Sequence, residues 1–308
     1  MPPPLVLIAG PTASGKSALA MALAQLVPSV IINADSMQVY RDLRVVTARP
    51  SETDELGVPH RLFGYIDGAE ACSAARWAND ARAAIAAAHD ASLLPILVGG
   101  TGLYIRTLLD GIAPVPDINP DVRAEVRAMP VAEAHRFLTE ADPEAAARLA
   151  PADTTRVARA LEVVRSTGRT LKSWQANRVG GIGATVRLVP YVILPPKASV
   201  LSACDARFAT MFREGQEEVA ALLTRDLPQS LPVMRAIGVA EIASFLNGDA
   251  SADVAVSAGM LATRQYAKRQ YTWFANQAPS TWNRIDTHLN SVNILNFATL
   301  LRNGALTA

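Results

Sequence analysis

Short runs of apolar residues recur along the chain, and each is closed by a turn-forming or polar residue. They cover Leu5–Ala9, Val30–Asn33, Leu94–Val98 and Val186–Leu194. Short apolar runs of this kind are typical of strands buried on both faces of a parallel sheet. Helical patterns follow all but the last run, over Ser14–Val27, Ala74–His89 and Thr101–Leu109. This alternation predicts an α/β fold with a doubly wound parallel sheet.

The alternation stops between residues 114 and 184. This stretch opens with Pro114-Val115-Pro116, continues with charged helical patterns, and ends in a glycine-rich segment over 179–183. We predict an inserted helical subdomain over 114–184, and a core made of residues 1–113 and 185–308. Beyond the last apolar run, long helices are predicted over 199–225, 235–246 and 253–278.

Charge is balanced over the whole chain but uneven locally. The 29 Lys and Arg against 28 Asp and Glu give a net charge of +1, which argues against a wholly basic nucleic-acid binder. Residues 110–154 hold nine acidic residues and four arginines, whereas 156–187 hold seven Lys or Arg and only Glu162. The local sums of −5 and +6 predict a basic face on the inserted subdomain.

Cysteine, histidine and targeting signals are sparse. Cys72 and Cys204 lie far apart, and the four histidines form no metal-binding pattern, so we expect a reducing compartment and no structural zinc. The N-terminus lacks a basic segment, and no apolar run is long enough to cross a bilayer. We therefore expect a cytoplasmic protein without membrane contact.

A phosphate-binding motif follows the first predicted strand. The segment GPTASGKS satisfies G-x-x-x-x-G-K-[ST] and comprises Gly10, Pro11, Thr12, Ala13, Ser14, Gly15, Lys16 and Ser17. Its backbone N–H groups and the following helix N-terminus can cradle phosphates, while Lys16 reaches terminal phosphates and Ser17 ligates magnesium. The alternative is a glycine turn with a solvated lysine. The motif predicts a phosphate or diphosphate ligand, but kinases, NTPases and transferases all use it.

Polar residues also follow the second and third predicted strands. Asp35 lies at the carboxyl edge of the sheet, where it can act as a base or help to position magnesium. Thr101 follows two glycines and offers a hydroxyl at the same edge. Helix capping is the alternative role for both residues.

Six segments together resemble the bacterial-type tRNA dimethylallyltransferases, also called tRNA isopentenyltransferases. In chain order they read GPTASGKS, DSMQVYR, VPHRLFGYID, LVGGTGLYIRTLLDGI, RVARALEVVRSTGRTL and ATRQYAKRQYTW. The resemblance spans Leu5 to about Trp273. It implies a P-loop NTPase-like fold and transfer of a dimethylallyl group from dimethylallyl diphosphate to the exocyclic N6 of adenosine 37 in tRNA, next to the anticodon. Diphosphate leaves with the help of Mg²⁺, and we expect a monomer.

The resemblance also implies roles for individual residues. Asp35 accepts the proton of the adenine amine, while Lys16, Thr12 and magnesium-bound Ser17 stabilise the leaving diphosphate. Arg207 matches a second phosphate-binding arginine, and Thr101 touches tRNA near the reacting adenine. The implied tRNA-binding positions are Asp35, Ser36, Met37, Gln38, Thr101, Arg123, Thr155, Arg156, Val157, Ala158, Arg159 and Arg235.

Further tRNA contacts are expected from an amide and a basic ridge. The Gln38 amide is expected to read an adenine edge. Arg264, Lys268 and Arg269 form a basic ridge on the helix over 253–278 that would face RNA or phosphate. A solvated helical face is the alternative explanation for such charge runs.

The chain departs from the family pattern in three places. Thr155 replaces a usual glutamine, Val239-Ala240 replaces a tyrosine and a basic residue, and Ala275 replaces an arginine. These departures affect expected tRNA contacts and not the chemistry, so restoring tyrosine and arginine at 239 and 240 is expected to tighten tRNA binding. Two other functions remain open from the residues alone: a small-molecule or nucleoside kinase, and a non-catalytic, nucleotide-gated RNA-binding protein.

Overall fold

The computed structural model describes residues 1–307 and contains one parallel sheet. Its strands are β1 (Pro4–Ala9), β2 (Ser29–Asn33), β3 (His60–Arg61), β4 (Leu94–Gly99), β5 (Arg187–Ile193) and β6 (Asn283–Ile285). They lie in the order β3-β2-β4-β1-β5-β6, and every neighbouring pair is parallel. The predicted doubly wound parallel sheet is confirmed. The sequence patterns missed β3 and β6, which have only two and three residues and no apolar run of their own.

The helices fall into two groups along the chain. Those of the core are α1 (Lys16–Ala24), α2 (Glu52–Gly57), α3 (Ala74–Asp90), α4 (Gly102–Asp110), α10 (Lys197–Glu214), α11 (Gln216–Leu223), α12 (Val239–Leu246), α13 (Ala252–Gln277) and α14 (Ile294–Leu306). The second group lies between α4 and α10 along the chain and consists of α5 (Pro120–Ala128), α6 (Val131–Ala141), α7 (Pro143–Arg148), α8 (Thr154–Thr167) and α9 (Leu171–Gln175). The helix predicted over 199–225 is two helices, which meet at Gly215.

Helices cover both faces of the sheet, so alternate residues of a central strand enter different apolar clusters. Leu5 and Leu7 of β1 pack with α3 and α4, whereas Val6 and Ile8 pack with α1 and α14. All four side chains are fully buried. This two-sided burial explains why the strand reads as a continuous apolar run instead of an alternating one.

The chain divides into two compact units. One comprises Met1–Leu109 and the residues from Ile182 onward, and the other, here called the inserted unit, comprises Asp110–Gly181. The predicted subdomain over 114–184 therefore begins four residues after the inserted unit and ends three residues after it. The inserted unit has its own apolar cluster, which includes Val126, Leu138 and Leu161.

No helix within residues 1–307 combines the length and the apolar character that a bilayer span requires.

Gly259 of α13 lies against α10, so a substitution there tests the packing of these two helices. A Cβ atom at this position would lie 1.8 Å from Cζ of the buried Phe208. Replacing a helical glycine with alanine is ordinarily stabilising, but we expect Gly259→Ala to lower the free energy of unfolding by about 1–3 kcal/mol through overpacking. Urea denaturation measures this change. Gly57→Ala is the control, because no atom lies within 4 Å of its added Cβ; equal stability of both variants would contradict the packing.

Candidate functional site

The phosphate loop, Gly10–Ser17, leaves the carboxyl end of β1 and turns into α1. Gly10 has φ 151°, and a Cβ there would lie 2.5 Å from the backbone oxygen of Ile193 in the adjacent strand. The helix begins at Lys16, with Gly15 as its N-cap. The loop conformation is therefore that of a phosphate-binding turn at a helix N-terminus.

One polar side chain of this loop lacks a partner, and another has a shifted pKa. The buried Ser14 Oγ has no hydrogen-bond partner, which is costly unless a ligand supplies one. Lys16 Nζ donates to the backbone oxygen of Pro11 at 2.5 Å. Burial and then the nearby Arg207 charge lower the Lys16 pKa to about 7, although Asp35 opposes the shift. An anion bound in the loop would satisfy both groups.

Two side chains from α10 and α13 contact Thr12 of the loop. Arg207 Nη1 donates to Thr12 Oγ1 at 2.9 Å. Gln270 Oε1 accepts from the Thr12 backbone N–H at 2.7 Å. The predicted site residues Thr12, Lys16 and Arg207 are therefore brought together, although Arg207 follows the end of the loop by 190 positions.

Two cavities meet at the carboxyl edge of the sheet. The first has a volume of about 650 Å³ and is lined by the phosphate loop from Thr12 to Ser17 and by side chains that include Gln38, Arg49 and His60. The second has a volume of about 270 Å³ and is lined by residues that include Met37, Arg235, Tyr266 and Arg269. Four residues line both cavities: Thr12, Asp35, Thr47 and Arg207. Molecules bound in the two cavities would meet at these four side chains.

The two carboxylate oxygens of Asp35 differ in their contacts, and neither caps a helix. Its Oδ1 accepts from the Met37 backbone N–H at 2.9 Å, which fixes the turn after β2. No donor among residues 1–307 pairs with Oδ2, so this oxygen remains available to a ligand. Asn33 also stabilises this turn, because its side-chain amide accepts from the Asp35 N–H and donates to the Asp35 carbonyl. The carboxylate is thus positioned by one oxygen and open at the other.

Thr101 joins the same turn. Its Oγ1 accepts from the Ser36 backbone N–H at 3.0 Å and donates to Ser36 Oγ at 3.3 Å. The hydroxyl therefore crosses to the loop after β2, instead of capping α4. Thr101 supports the wall of the second cavity that Ser36 and Met37 form.

The expected role of Gln38 needs correction. Its Nε2 donates to the backbone oxygens of Thr47 and Ala48 at 2.9 and 2.8 Å, so both amide protons are used. Gln38 also lines the first cavity and not the second. An adenine in the second cavity would not meet its amide donors, and only Oε1 remains as an acceptor.

Tyr266 and Gln270 are site residues that the sequence reasoning missed. Tyr266 lines the second cavity, and burial raises the pKa of its hydroxyl above the usual range, with a further contribution from Asp35. The hydroxyl therefore stays protonated as a donor. Both residues lie in the segment ATRQYAKRQYTW, and the buried Thr263 and Gln270 bracket Tyr266 at helical spacing. That spacing was the available signal.

The basic ridge on α13 is divided by its contacts. Arg264 Nη1 donates to both carboxylate oxygens of Asp205 at 2.8 Å. Arg269 lines the second cavity, and Lys268 is exposed. Arg269 is therefore the member of the ridge that faces a ligand site, whereas Arg264 ties α13 to α10.

The basic face predicted on the inserted unit is largely neutralised by the acidic residues of the same unit. The unit holds ten acidic and ten basic side chains, so its net charge is zero. Its ion pairs include Arg165 with Glu125, Arg178 with Asp110, Lys172 with Glu144, and Arg127 and Arg159 with the buried Glu162. Arg187, counted in the +6 sum, lies in β5 and donates to the backbone of α14. The Arg156 side chain remains 76% exposed.

Burial limits two tRNA contacts that the resemblance implied, and it corrects the expected effect of one substitution. Val157 is fully buried in the apolar cluster of the inserted unit, and Ala158 packs against that cluster. Val157 therefore presents no side-chain surface to RNA and Ala158 presents only part of one, unlike the exposed Thr155 and Arg156. Val239 is 2% exposed and packs in the core, so a tyrosine there would overpack the site instead of extending toward tRNA.

The residues that could hold a metal ion are few. Within residues 1–307, no three His, Cys, Asp or Glu side chains gather into a metal site. Ser17 lines the first cavity and offers one hydroxyl oxygen. This donor set suits a magnesium ion that is held mainly by ligand phosphates and water, and not an all-protein cage.

The chain is similar in sequence to a known protein family and to individual proteins from bacteria. The model of the family described as IPP transferase matches residues 38–277. A tRNA dimethylallyltransferase from Sphingopyxis alaskensis is 60% identical over 305 residues, which cover 98% of this chain and 100% of that protein. A protein of the same name from Novosphingobium aromaticivorans is 60% identical over 275 residues, with 89% and 98% coverage.

Solved structures show the same architecture. The tRNA isopentenylpyrophosphate transferase from Bacillus halodurans is 31% identical, with a TM-score of 0.70 and coverage of 98% of this chain and 96% of that one. A eukaryotic dimethylallyltransferase acting on tRNA is 25% identical, with a TM-score of 0.77 and coverage of 88% and 70%.

The lowered pKa of Lys16 predicts that anion binding takes up a proton. Above pH 7 the Lys16 amine is mostly neutral in the free protein, whereas a bound diphosphate would favour its charged form. We expect the affinity for an alkyl diphosphate, whose phosphates are ionised above about pH 6, to fall as the pH rises above 7. Calorimetry at pH 8 in buffers of different ionisation enthalpy measures the proton uptake.

Lys16→Ala should weaken this binding and abolish the proton uptake. Lys172→Ala, which removes an exposed lysine of the inserted unit, is the matched control and should bind like the unmodified protein. Proton uptake that persists in Lys16→Ala would assign the titration to another group.

Proposed function

The chain belongs to the IPP transferase family, and we propose that it transfers a dimethylallyl group from dimethylallyl diphosphate to the exocyclic N6 of adenosine 37 in tRNA. The observation that carries this proposal is the junction of the two cavities at Thr12, Asp35, Thr47 and Arg207. A phosphate loop opens into one cavity, and a carboxylate with a free oxygen lies where that cavity meets the other. The names of the relatives support prenyl transfer to tRNA. Because one chain supplies all four shared residues, the proposal requires only a monomer.

The first cavity would hold the diphosphate. The phosphate loop amides, Lys16 and the unpartnered Ser14 hydroxyl provide donors for its oxygens. Thr12 and Arg207 lie at the boundary of the two cavities, where the oxygen between the diphosphate and the allylic carbon would lie. Negative charge grows on that oxygen as the bond breaks, so donors at this point accelerate the reaction.

Magnesium fits the site as a phosphate-bound ion. Ser17 would supply a hydroxyl ligand, and the diphosphate oxygens and water would complete the coordination. When bound, the ion would neutralise charge on the leaving diphosphate.

Asp35 would act as the general base. The adenine N6 attacks C1 of the dimethylallyl group, the bond between C1 and the diphosphate oxygen breaks, and the N6 proton passes to the free Asp35 Oδ2. The second cavity would hold the adenine, with Tyr266 and Arg269 in its wall. The Tyr266 hydroxyl is a protonated donor and suits a ring nitrogen acceptor.

The remaining tRNA contacts would come from separate arginines instead of a uniformly basic face. Arg235 lines the second cavity. In the inserted unit, Arg123, Arg156 and Arg159 lie on α5 and α8 and would contact phosphates of the anticodon loop.

One assay separates this function from its two alternatives. Labelled dimethylallyl diphosphate is incubated with bulk tRNA, and label on RNA is measured beside ATP consumption. Transfer gives RNA-bound label without ATP. A kinase would consume ATP, and a nucleotide-gated RNA-binding protein would give neither result.

Replacing Asp35 with asparagine tests the general base. Asn keeps a side-chain oxygen for the Met37 N–H, so the turn should persist. We expect Asp35→Asn to slow single-turnover transfer by about 10²-fold or more, the usual cost of losing a general base, with nearly unchanged tRNA and diphosphate affinities. Asp67→Asn is the control, since Asp67 Oδ1 makes the same contact with the Ala69 N–H outside both cavities. Near-normal transfer by Asp35→Asn would mean that Asp35 forms the turn but is not the general base.

The dependence of tRNA binding on salt tests the inserted unit. Counterion release from single strands gives a log-log slope of about −0.7 per neutralised phosphate, and several contacts give a slope beyond about −2. We expect the Arg156→Ala/Arg159→Ala variant to bind tRNA more weakly and with a shallower slope, measured by filter binding between low and high salt. Arg136→Ala removes one exposed arginine of the same unit and is the control. A slope that Arg136→Ala reduces as much as the double variant would indicate a general charge effect.

A further inference from the structure

A single side chain of α13 connects two loops of the site. Gln270 is 6% exposed, and its amide makes two hydrogen bonds across the sheet edge. Its Oε1 accepts from the Thr12 backbone N–H at 2.7 Å, and its Nε2 donates to the Gly100 backbone oxygen at 3.0 Å. The phosphate loop after β1 is therefore tied through Gln270 to the turn after β4.

The first bond determines how Thr12 can act. Because its N–H is directed to Gln270, this amide is not directed to an anion in the phosphate loop. The Thr12 hydroxyl accepts from Arg207 Nη1, so its own proton is free to be donated to a bound ligand. Holding the Thr12 backbone thus holds a hydroxyl that lines both cavities.

The second bond leads toward Asp35. Gly100 precedes Thr101, whose hydroxyl accepts from the Ser36 N–H in the turn that carries Asp35. A chain of contacts therefore runs from Thr12 through Gln270, Gly100 and Thr101 to the Asp35 turn. These contacts fix the separation between the phosphate side and the carboxylate side of the cavity junction.

The local packing leaves the amide little freedom. A Cβ on Gly100 would lie 2.3 Å from Gln270 Nε2, so the close approach requires glycine. Loss of the bond to Gly100 would leave a buried backbone oxygen without this partner, which is costly. Gln270 is therefore held in one orientation by the two groups that it connects.

We propose that Gln270 is a positioning residue, which sets Thr12 against Arg207 and holds the phosphate loop in register with the Asp35 turn. This inference rests on the proposed transfer function. Gln270 itself forms no part of the cavity walls, so its effect on the reaction passes through Thr12 and the Gly100 turn.

The first test replaces Gln270 with methionine, which has a similar volume and neither hydrogen bond. We expect the single-turnover transfer rate at saturating substrates to fall by about tenfold or more, because small displacements of reacting groups cost this much or more. The Kd for tRNA should stay within about twofold. Phe274→Leu is the control for lost stability, since Phe274 is buried one turn further along α13 and contacts neither loop through a hydrogen bond of its side chain.

The inference fails if Gln270→Met transfers within about twofold of the unmodified protein. It also fails if Phe274→Leu, at a similar loss of Tm, loses as much rate. Should the unmodified protein transfer no label to tRNA, the proposed function fails separately, and alkyl diphosphate affinity becomes the readout. Gln270→Met is then expected to bind the alkyl diphosphate at least about fivefold more weakly, since the displaced phosphate loop loses donor geometry, and equal affinity would overturn the inference.

The second test replaces Gln270 with glutamate and follows the rate with pH. A neutral carboxylic acid can still accept from Thr12 and donate its O–H to Gly100, whereas the ionised form has no donor for Gly100. Burial favours the neutral form of such a carboxyl. The ratio of the Gln270→Glu rate to the unmodified rate should therefore rise as the pH falls. Dividing the two rates removes any pH dependence that both proteins share.

Gln265→Glu provides the matched control, because Gln265 is exposed on the same helix. Its rate ratio should stay near that of the unmodified protein at every pH. A ratio for Gln270→Glu that is flat, or that falls toward low pH, would overturn the role of the donor bond to Gly100.

Discussion

Backbone groups at the carboxyl edge of the sheet lie beyond the strand ladder and are wholly or partly buried, and the site depends on the side chains that form hydrogen bonds with them. Gln270 bonds the Thr12 N–H and the Gly100 oxygen. Asn33 bonds both backbone groups of Asp35, and Thr101 bonds the Ser36 N–H. Unpaired groups at these places would each cost about 1–3 kcal/mol. The same bonds that stabilise the edge also place the side chains that would act on a ligand.

A fourth anchor extends this arrangement to the cavity wall. Glu218 of α11 accepts from the successive N–H groups of Arg44, Val45 and Val46. The next residues, Thr47 and Ala48, accept from the Gln38 amide. Thr47 lines both cavities, so a helix of the C-terminal half determines the position of a loop near the N-terminus.

The sequence predicted those features that depend on local pattern. Four of the strands, the phosphate loop and the positions of Asp35 and Thr101 at the sheet edge followed from apolar runs and the residues after them. The two shortest strands and the roles of Gln270 and Glu218 did not, because their partners lie far away in the chain. A buried glutamine in a helix has no local signature that distinguishes it from an exposed one, except its place on the apolar face.

The charge of the inserted unit shows a second limit of local reasoning. A sum over 156–187 gave +6, but the balancing acids lie in 110–154, and folding pairs the two segments. Val157 likewise occupied a matching position in the family motif, yet helical geometry turns it into the apolar cluster while Arg156 faces outward. A sequence sum describes a surface only when the partners of each charge are known.

The phosphate loop by itself does not determine the reaction, but the charged residues around it indicate which kind of ligand and which reaction the site favours. Burial and then the Arg207 charge lower the pKa of Lys16, burial lowers the pKa of Arg207, and Asp35 is the carboxylate that opposes both shifts. Without a ligand, Lys16 and Arg207 thus face one carboxylate, and a multiply charged anion would favour the charged form of Lys16. When a diphosphate binds, it would relieve the repulsion between the cations and leave Asp35 beside a negative leaving group. Asp35 would then lie between the leaving diphosphate and the second cavity, which is where an amine nucleophile requires its base.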